Sequence, residues 1–149
     1  MWSADGRYLA TVTAQHAVRV WDIRGGSIAA ELPLPSSEEL GALSPDAAFV
    51  ATRRGSLTSI REIRTGREVA RLTHGAGIID VAFSADGKFV ATVSEDRIAR
   101  VWLWHPKDLV DAACDRLPNG ELEEADWRRF VGSSERRPTC GARPSQIRR

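Results

Sequence analysis

The 149-residue chain has almost no net charge, two cysteines, three histidines, one methionine, one tyrosine and no long apolar run. Each shortage excludes something. With 21 Lys and Arg against 20 Asp and Glu, no global field draws the molecule to nucleic acid or to an anionic membrane, so partner choice rests on local patches. The longest apolar stretch falls far short of the roughly 20 residues that span a bilayer. Met1 leads into Ser3, Ala4, Asp5 and Gly6, not into a basic then apolar leader, so a cytoplasmic protein with no membrane partner is the expectation. Cys114 and Cys140 are too few for a disulfide-built scaffold. A buried thiol is favoured over a disulfide for each, and two thiols do not make a metal site. His16, His74 and His105 show no zinc spacing and no glycine-rich phosphate loop is present, so no metal, cofactor or nucleotide site is expected.

What the chain does have is repetition. Three segments align: Ser3-Ala-Asp-Gly-Arg-Tyr-Leu-Ala-Thr11, Ser44-Pro-Asp-Ala-Ala-Phe-Val-Ala-Thr52 and Ser84-Ala-Asp-Gly-Lys-Phe-Val-Ala-Thr92, with their serines 41 and then 40 residues apart. A period of this length marks a repeat architecture. In each copy a turn signal (Asp5-Gly6, Pro45-Asp46, Asp86-Gly87) leads into a β-favouring stretch, a polar turn and an alternating strand such as Val18-Arg-Val-Trp21 or Ile98-Ala-Arg-Val-Trp102. Further strands are expected over Ile28 to Leu32 and Glu68 to Leu72. Four short strands per period make one blade of a propeller.

The words Ser-Ala-Asp-Gly, Val-Arg-Val-Trp-Asp and Leu-Thr-His-Gly, at this spacing, resemble WD repeats over residues 1 to 104. The resemblance implies a mainly β fold: a partial WD-repeat β-propeller of about two and a half to three blades, each of four antiparallel strands, with repeats at about 1–23, 24–63 and 64–104. It also implies a structural hydrogen-bond set joining a His, a Thr, an Asp and a Trp within a blade. The last repeat keeps all four as His74, Thr92, Asp96 and Trp102. The first has Thr11 and Trp21 but Gln15 at the Asp position. The middle one keeps only Thr52, with Arg61 at the Trp position and a turn around Arg54-Gly55 one residue shorter, so it is expected to be the least well held. A catalytic His/Asp/Thr reading loses to the structural one, because the spacing recurs with the repeat and no nucleophile with an activating base is evident.

A closed ring takes about 4–8 blades. The chain has fewer than three, and Met1 to Gly6 align with Ala82 to Gly87, which places Met1 inside an innermost strand. The expectation is the C-terminal piece of a larger propeller, self-associating when isolated through exposed apolar faces and edges.

After His105-Pro106 the period changes to about 3.6 and two short helices are expected within 105–132. The first is capped by Asp108 and carries Val110, Cys114 and Leu117 on one face; the second runs from about Leu122 to Val131. The Arg-rich remainder, 133–149, reads as disordered. Ala113-Cys-Asp-Arg-Leu-Pro118, Leu122 to Trp127 and Arg137-Pro-Thr-Cys140 look like the tail that follows WD repeats in large bacterial signalling proteins. Those proteins carry an NTPase, TIR, caspase-like or kinase effector upstream. Three functions follow, in decreasing order. The first is a non-catalytic protein-interaction or sensing scaffold, whose partners are other proteins or N-terminal domains of the same polypeptide and whose binding face includes Gln15, His16, Arg53, Arg54 and Arg97. The second is a regulatory propeller fragment of a bacterial signalling ATPase or kinase, or a non-functional gene remnant. The third is a propeller-type hydrolase.

Overall fold

The computed structural model describes residues 1–117, 123–130 and 140. They fall into two units, Met1–His105 and Pro106–Arg149. The first holds ten strands: β1 Tyr8–Val12, β2 Ala17–Asp22, β3 Ser27–Pro33, β4 Glu39–Leu43, β5 Phe49–Arg54, β6 Leu57–Glu62, β7 Glu68–Thr73, β8 Ile78–Phe83, β9 Phe89–Ser94 and β10 Ala99–Leu103. They pair antiparallel into three sheets, β1-β2-β3, β4-β5-β6-β7 and β8-β9-β10. This is a mainly β, partial WD-type propeller of three blades in series. Four strands per blade hold only for the middle sheet; the first adds a single bridge from Trp2 to Leu9, and the third has three strands.

The repeat is built by one turn used three times. Ser3, Ser44 and Ser84 each donate a hydroxyl hydrogen bond of 2.6 Å to Asp5, Asp46 and Asp86. The same carboxylate oxygen accepts the backbone N–H of Arg7, Ala48 and Lys88. The serine oxygen accepts the N–H that opens the next strand, at Tyr8, Phe49 and Phe89. Short polar side chains that close on the local backbone make a self-contained turn. Gly6 and Gly87 occupy the left-handed region here, with φ of 68° and 73°, where a residue without Cβ is unstrained.

Burial follows the period-2 alternation of the strands. Ala10, Val18, Val20, Leu32, Leu43, Val50 and Ile63 form one core between the first and second sheets. Ala51, Ile60, Leu72, Val81, Val90 and Trp104 form a second, between the second and third. The middle sheet, expected to be the least well held, is therefore the one covered on both faces.

The second unit contains α1 Pro106–Arg116 and α2 Glu124–Phe130. The first helix starts at Pro106 and not after a cap at Asp108, because proline lacks the N–H that the first turn would leave unpaired. Asp108 lies inside the first turn, near the positive end of the helix dipole. The expected stripe is not buried as one face: Cys114 is buried, whereas Val110 is 57% exposed. Cys114 is joined to Cys140 by a disulfide, their Cα atoms 5.7 Å apart across 26 residues of sequence, which corrects the expected free thiols. The distance suits a bridge, and nothing in the sequence announces that the chain returns to α1. The expected ends of the second helix, Leu122 and Val131, and the tail 133–149 apart from Cys140, lie outside the described residues.

Candidate functional site

His74, from the loop that leads into β8, is brought to the face of β9 and β10. Its Nε2 lies 2.5 Å from Thr92 Oγ1 and its Nδ1 2.6 Å from Ser94 Oγ. Trp102 Nε1 donates to Thr92 Oγ1 at 2.8 Å, and Ser94 Oγ donates to Asp96 Oδ1. Donor and acceptor counting gives one consistent chain. The indole N–H meets the Thr92 oxygen, and the Thr92 O–H meets a bare Nε2. The Nδ1–H then meets the Ser94 oxygen, and the Ser94 O–H meets the carboxylate. Thus His74, Thr92, Asp96 and Trp102 come together, but His74 reaches Asp96 only through Ser94, a residue the sequence reading passed over. Ser94 stands two residues from Thr92 on the same strand face, and that spacing was the signal available. Thr92 and Ser94 are fully buried, so neither hydroxyl is open to a substrate.

The first sheet repeats half of this set: Trp21 Nε1 donates to Thr11 Oγ1 at 3.0 Å. The middle sheet replaces it. Thr52 Oγ1 donates to Glu38 Oε2 at 2.6 Å, and Arg61 Nη2 lies 2.8 Å from Glu38 Oε1. Glu38 retains 8% of its side-chain exposure and Arg61 18%. An ion pair therefore fills the place of the indole. Glu38 comes from the loop before β4, where no comparison of repeats would look for it.

The Ser-Asp pairs set an acid limit. The carboxyls of Asp96, Asp5 and Asp86 are held below the usual carboxylate range, first by the hydroxyls of Ser94, Ser3 and Ser84 and then, against a small opposing desolvation, by backbone N–H groups. A folded-state pKa below the unfolded value, near 3.9, contributes stability that is present above that value and lost as pH falls through the folded one. Thermal melts are expected to show the contribution of these groups constant between about pH 7 and pH 5 and progressively lost below about pH 4. Replacing all three aspartates with asparagine should flatten that acid limb; an unchanged limb would assign it to other carboxylates.

The expected interaction residues lie in or beside the β1–β2, β5–β6 and β9–β10 turns, at one end of the sheets. Gln15, His16, Arg54 and Arg97 are exposed; His16 and Arg97 take φ of 53° and 65°. Arg53 is different. It donates to the carbonyl of Ile79 and pairs with Glu39 at 2.9 Å, so it ties the second sheet to the third. Among the described residues no group of three or more His, Cys, Asp or Glu could hold a metal ion, and no helix is long and apolar enough to cross a membrane.

The sequence profile of the WD domain, G-beta repeat, matches residues 1–22 and 66–102. The chain carries WD repeats. The stretch between the two matches contains Glu38 and Arg61, where the indole has been exchanged for an ion pair. Relatives include the target of rapamycin complex subunit wat1 of Schizosaccharomyces pombe, 29% identical over 58% of this chain and 29% of its own length. Transducin beta-like protein 2 of mouse is 26% identical over 96% of this chain and 35% of its own length. Telomerase protein component 1 of rat is 33% identical over 68% of this chain and 4% of its own length. The chain thus spans about a third or less of the curated relatives it matches.

Proposed function

We propose that these WD-repeat sheets are a non-catalytic protein-interaction scaffold and form part of a larger propeller. One observation carries this reading. Ala10 and Val20 of the first sheet, and Ala51 and Ile60 of the second, are at most 1% exposed under the neighbouring sheet. Their equivalents in the third sheet, Ala91 and Val101, are exposed, Val101 by 71%. Ala82, Phe89, Val93 and Ala99 extend the same open apolar surface. A face covered twice by a WD sheet and open the third time is complementary to another WD sheet. A protein partner is preferred to nucleic acid because the net charge is only +1. The relative named as a complex subunit supports a binding role. The burial of Thr92 and Ser94 supports a structural and not a catalytic use of the His74 set.

The test is sedimentation velocity on the whole chain. Self-association through the open face is expected, and Val101→Lys, at a site open enough to cost little folded stability, should shift the distribution to monomer. A monomeric parent chain would defeat the reading.

The finer reading, a regulatory propeller of a multidomain bacterial signalling protein, rests on the resemblance of the C-terminal words, two of which carry the joined Cys114 and Cys140. It predicts in-frame DNA upstream of Met1 encoding further repeats and an effector domain. An unrelated gene there would end it.

A further inference from the structure

Between the first and second sheets lies an open cleft of about 340 Å³, within the size range of ligand sites. Its walls are Tyr8, Ala30, Ala47 and Ile63, and its polar rim is Asp46, Glu62 and Arg64. The chain contains its own comparison for this space. At the same register between the second and third sheets stands Trp104, 3% exposed. Its indole lies edge-on to Phe49, centroids 4.9 Å apart, and its Nε1 donates to the carbonyl of Gly87 at 3.0 Å. In the first interface the equivalents are Ile63 for the indole, Tyr8 for Phe49 and Ala47 for Gly87. The smaller Ile63 leaves the ring's place unfilled, beside an aromatic wall and a carbonyl at the position that accepts the indole N–H next door. Ala47 has a φ of 54° where the other repeats have glycine, so a methyl group lines this cleft despite a backbone conformation that disfavours Cβ.

The rim adds a charge preference. Asp46 receives Ser44 and Ala48 on Oδ1. The Thr65 hydroxyl, with Arg64 and Arg67 adding to it, holds the Glu62 carboxyl below the usual carboxylate range. Arg64 lies 3.6 Å from Glu62 and is 82% exposed; Arg7, whose guanidinium lies 4.9 Å over the Tyr8 ring, is matched by Asp22 at 3.1 Å. Within the lining two carboxylates stand against one cation, with Arg67 outside it also drawn to Glu62, so the rim itself favours a positive visitor.

We propose that this cleft binds an aromatic side chain of indole size, carried next to a lysine or arginine in a partner peptide. The site lies at the opposite end of the sheets from the turn residues Gln15, His16 and Arg97, and it depends neither on them nor on further propeller blades. The probe is the blocked dipeptide acetyl-Trp-Lys-amide, titrated into the whole chain while the amide resonances of Ala47, Ala48 and Ile63 are followed. Saturable shifts confined to this cleft are expected. Acetyl-Trp-Glu-amide and acetyl-Ala-Lys-amide should each bind at least about tenfold more weakly. Ile63→Trp, which copies the neighbouring interface, should abolish binding with the circular dichroism spectrum retained. Glu62→Gln, at the partly exposed end of β6, should weaken binding several-fold and serves if Ile63→Trp fails to fold. Equal binding of the alanine dipeptide, or an affinity indifferent to Glu62→Gln, would overturn the site.

Discussion

Thr92→Val is expected to destabilise the sheet unit by about 2–4 kcal/mol, although valine fills the same volume. Thr92 is fully buried and serves two partners, the indole of Trp102 at 2.8 Å and the imidazole of His74 at 2.5 Å. A buried polar atom left without its partner costs about 1–3 kcal/mol, and here two lose theirs together. The cost should be read from urea unfolding, as a fall in the midpoint of about 1–2 M at an m-value typical of small domains. The first sheet supplies the control. Thr11 makes the same bond to Trp21, but both are half-exposed on a face that no other sheet of the chain covers. Water can replace the lost partner there, so Thr11→Val should cost no more than about 1 kcal/mol. Because Thr92 and Trp102 share one bond, Thr92→Val and Trp102→Phe should be non-additive. Equal losses for Thr92→Val and Thr11→Val would mean that burial of the set does not matter.

Much of this fold was legible in the sequence because the repeat writes the same local physics three times. The Ser-x-Asp turns and the alternation from Tyr8 to Trp21 and from Phe89 to Trp102 follow from comparing one copy with another, whereas the set His74, Thr92, Asp96 and Trp102 is what the resemblance to WD repeats implies. The misses fall where copies differ or where distance in sequence hides contact. Ser94 was overlooked because a serine at a strand end reads as turn material. Glu38 lies outside the aligned words, and without it the loss of tryptophan at Arg61 reads as weakness where the structure has an exchange. Arg53 reads as a free surface cation until its guanidinium is seen on the carbonyl of Ile79. The disulfide reads from the sequence only as the less favoured alternative to buried thiols, since two cysteines 26 residues apart do not by themselves announce a returning chain.

The exchange in the middle sheet leads to the second large effect. Arg61→Met should destabilise the protein by about 3 kcal/mol, the lower part of the range for breaking a buried pair. It leaves Glu38, 8% exposed, with the Thr52 hydroxyl but without the cation that pairs with its charge. Glu38→Gln should cost less. Its amide oxygen still accepts from Thr52 or Arg61, and Arg61 keeps Glu68 at 3.7 Å and more contact with solvent. The double change Glu38→Met with Arg61→Trp converts the middle sheet to the pattern of its neighbours, an indole donating to the threonine below it. Since a desolvated ion pair gains little over well-packed apolar groups of similar size, the double variant should lie within about 1 kcal/mol of the parent chain. The order of stability is then parent and double variant together, Glu38→Gln below them and Arg61→Met lowest. If the double variant instead lost the sum of its two single changes, Arg61 would be held by its surroundings for a reason other than Glu38, and the ion pair would not be a substitute for the WD-repeat indole.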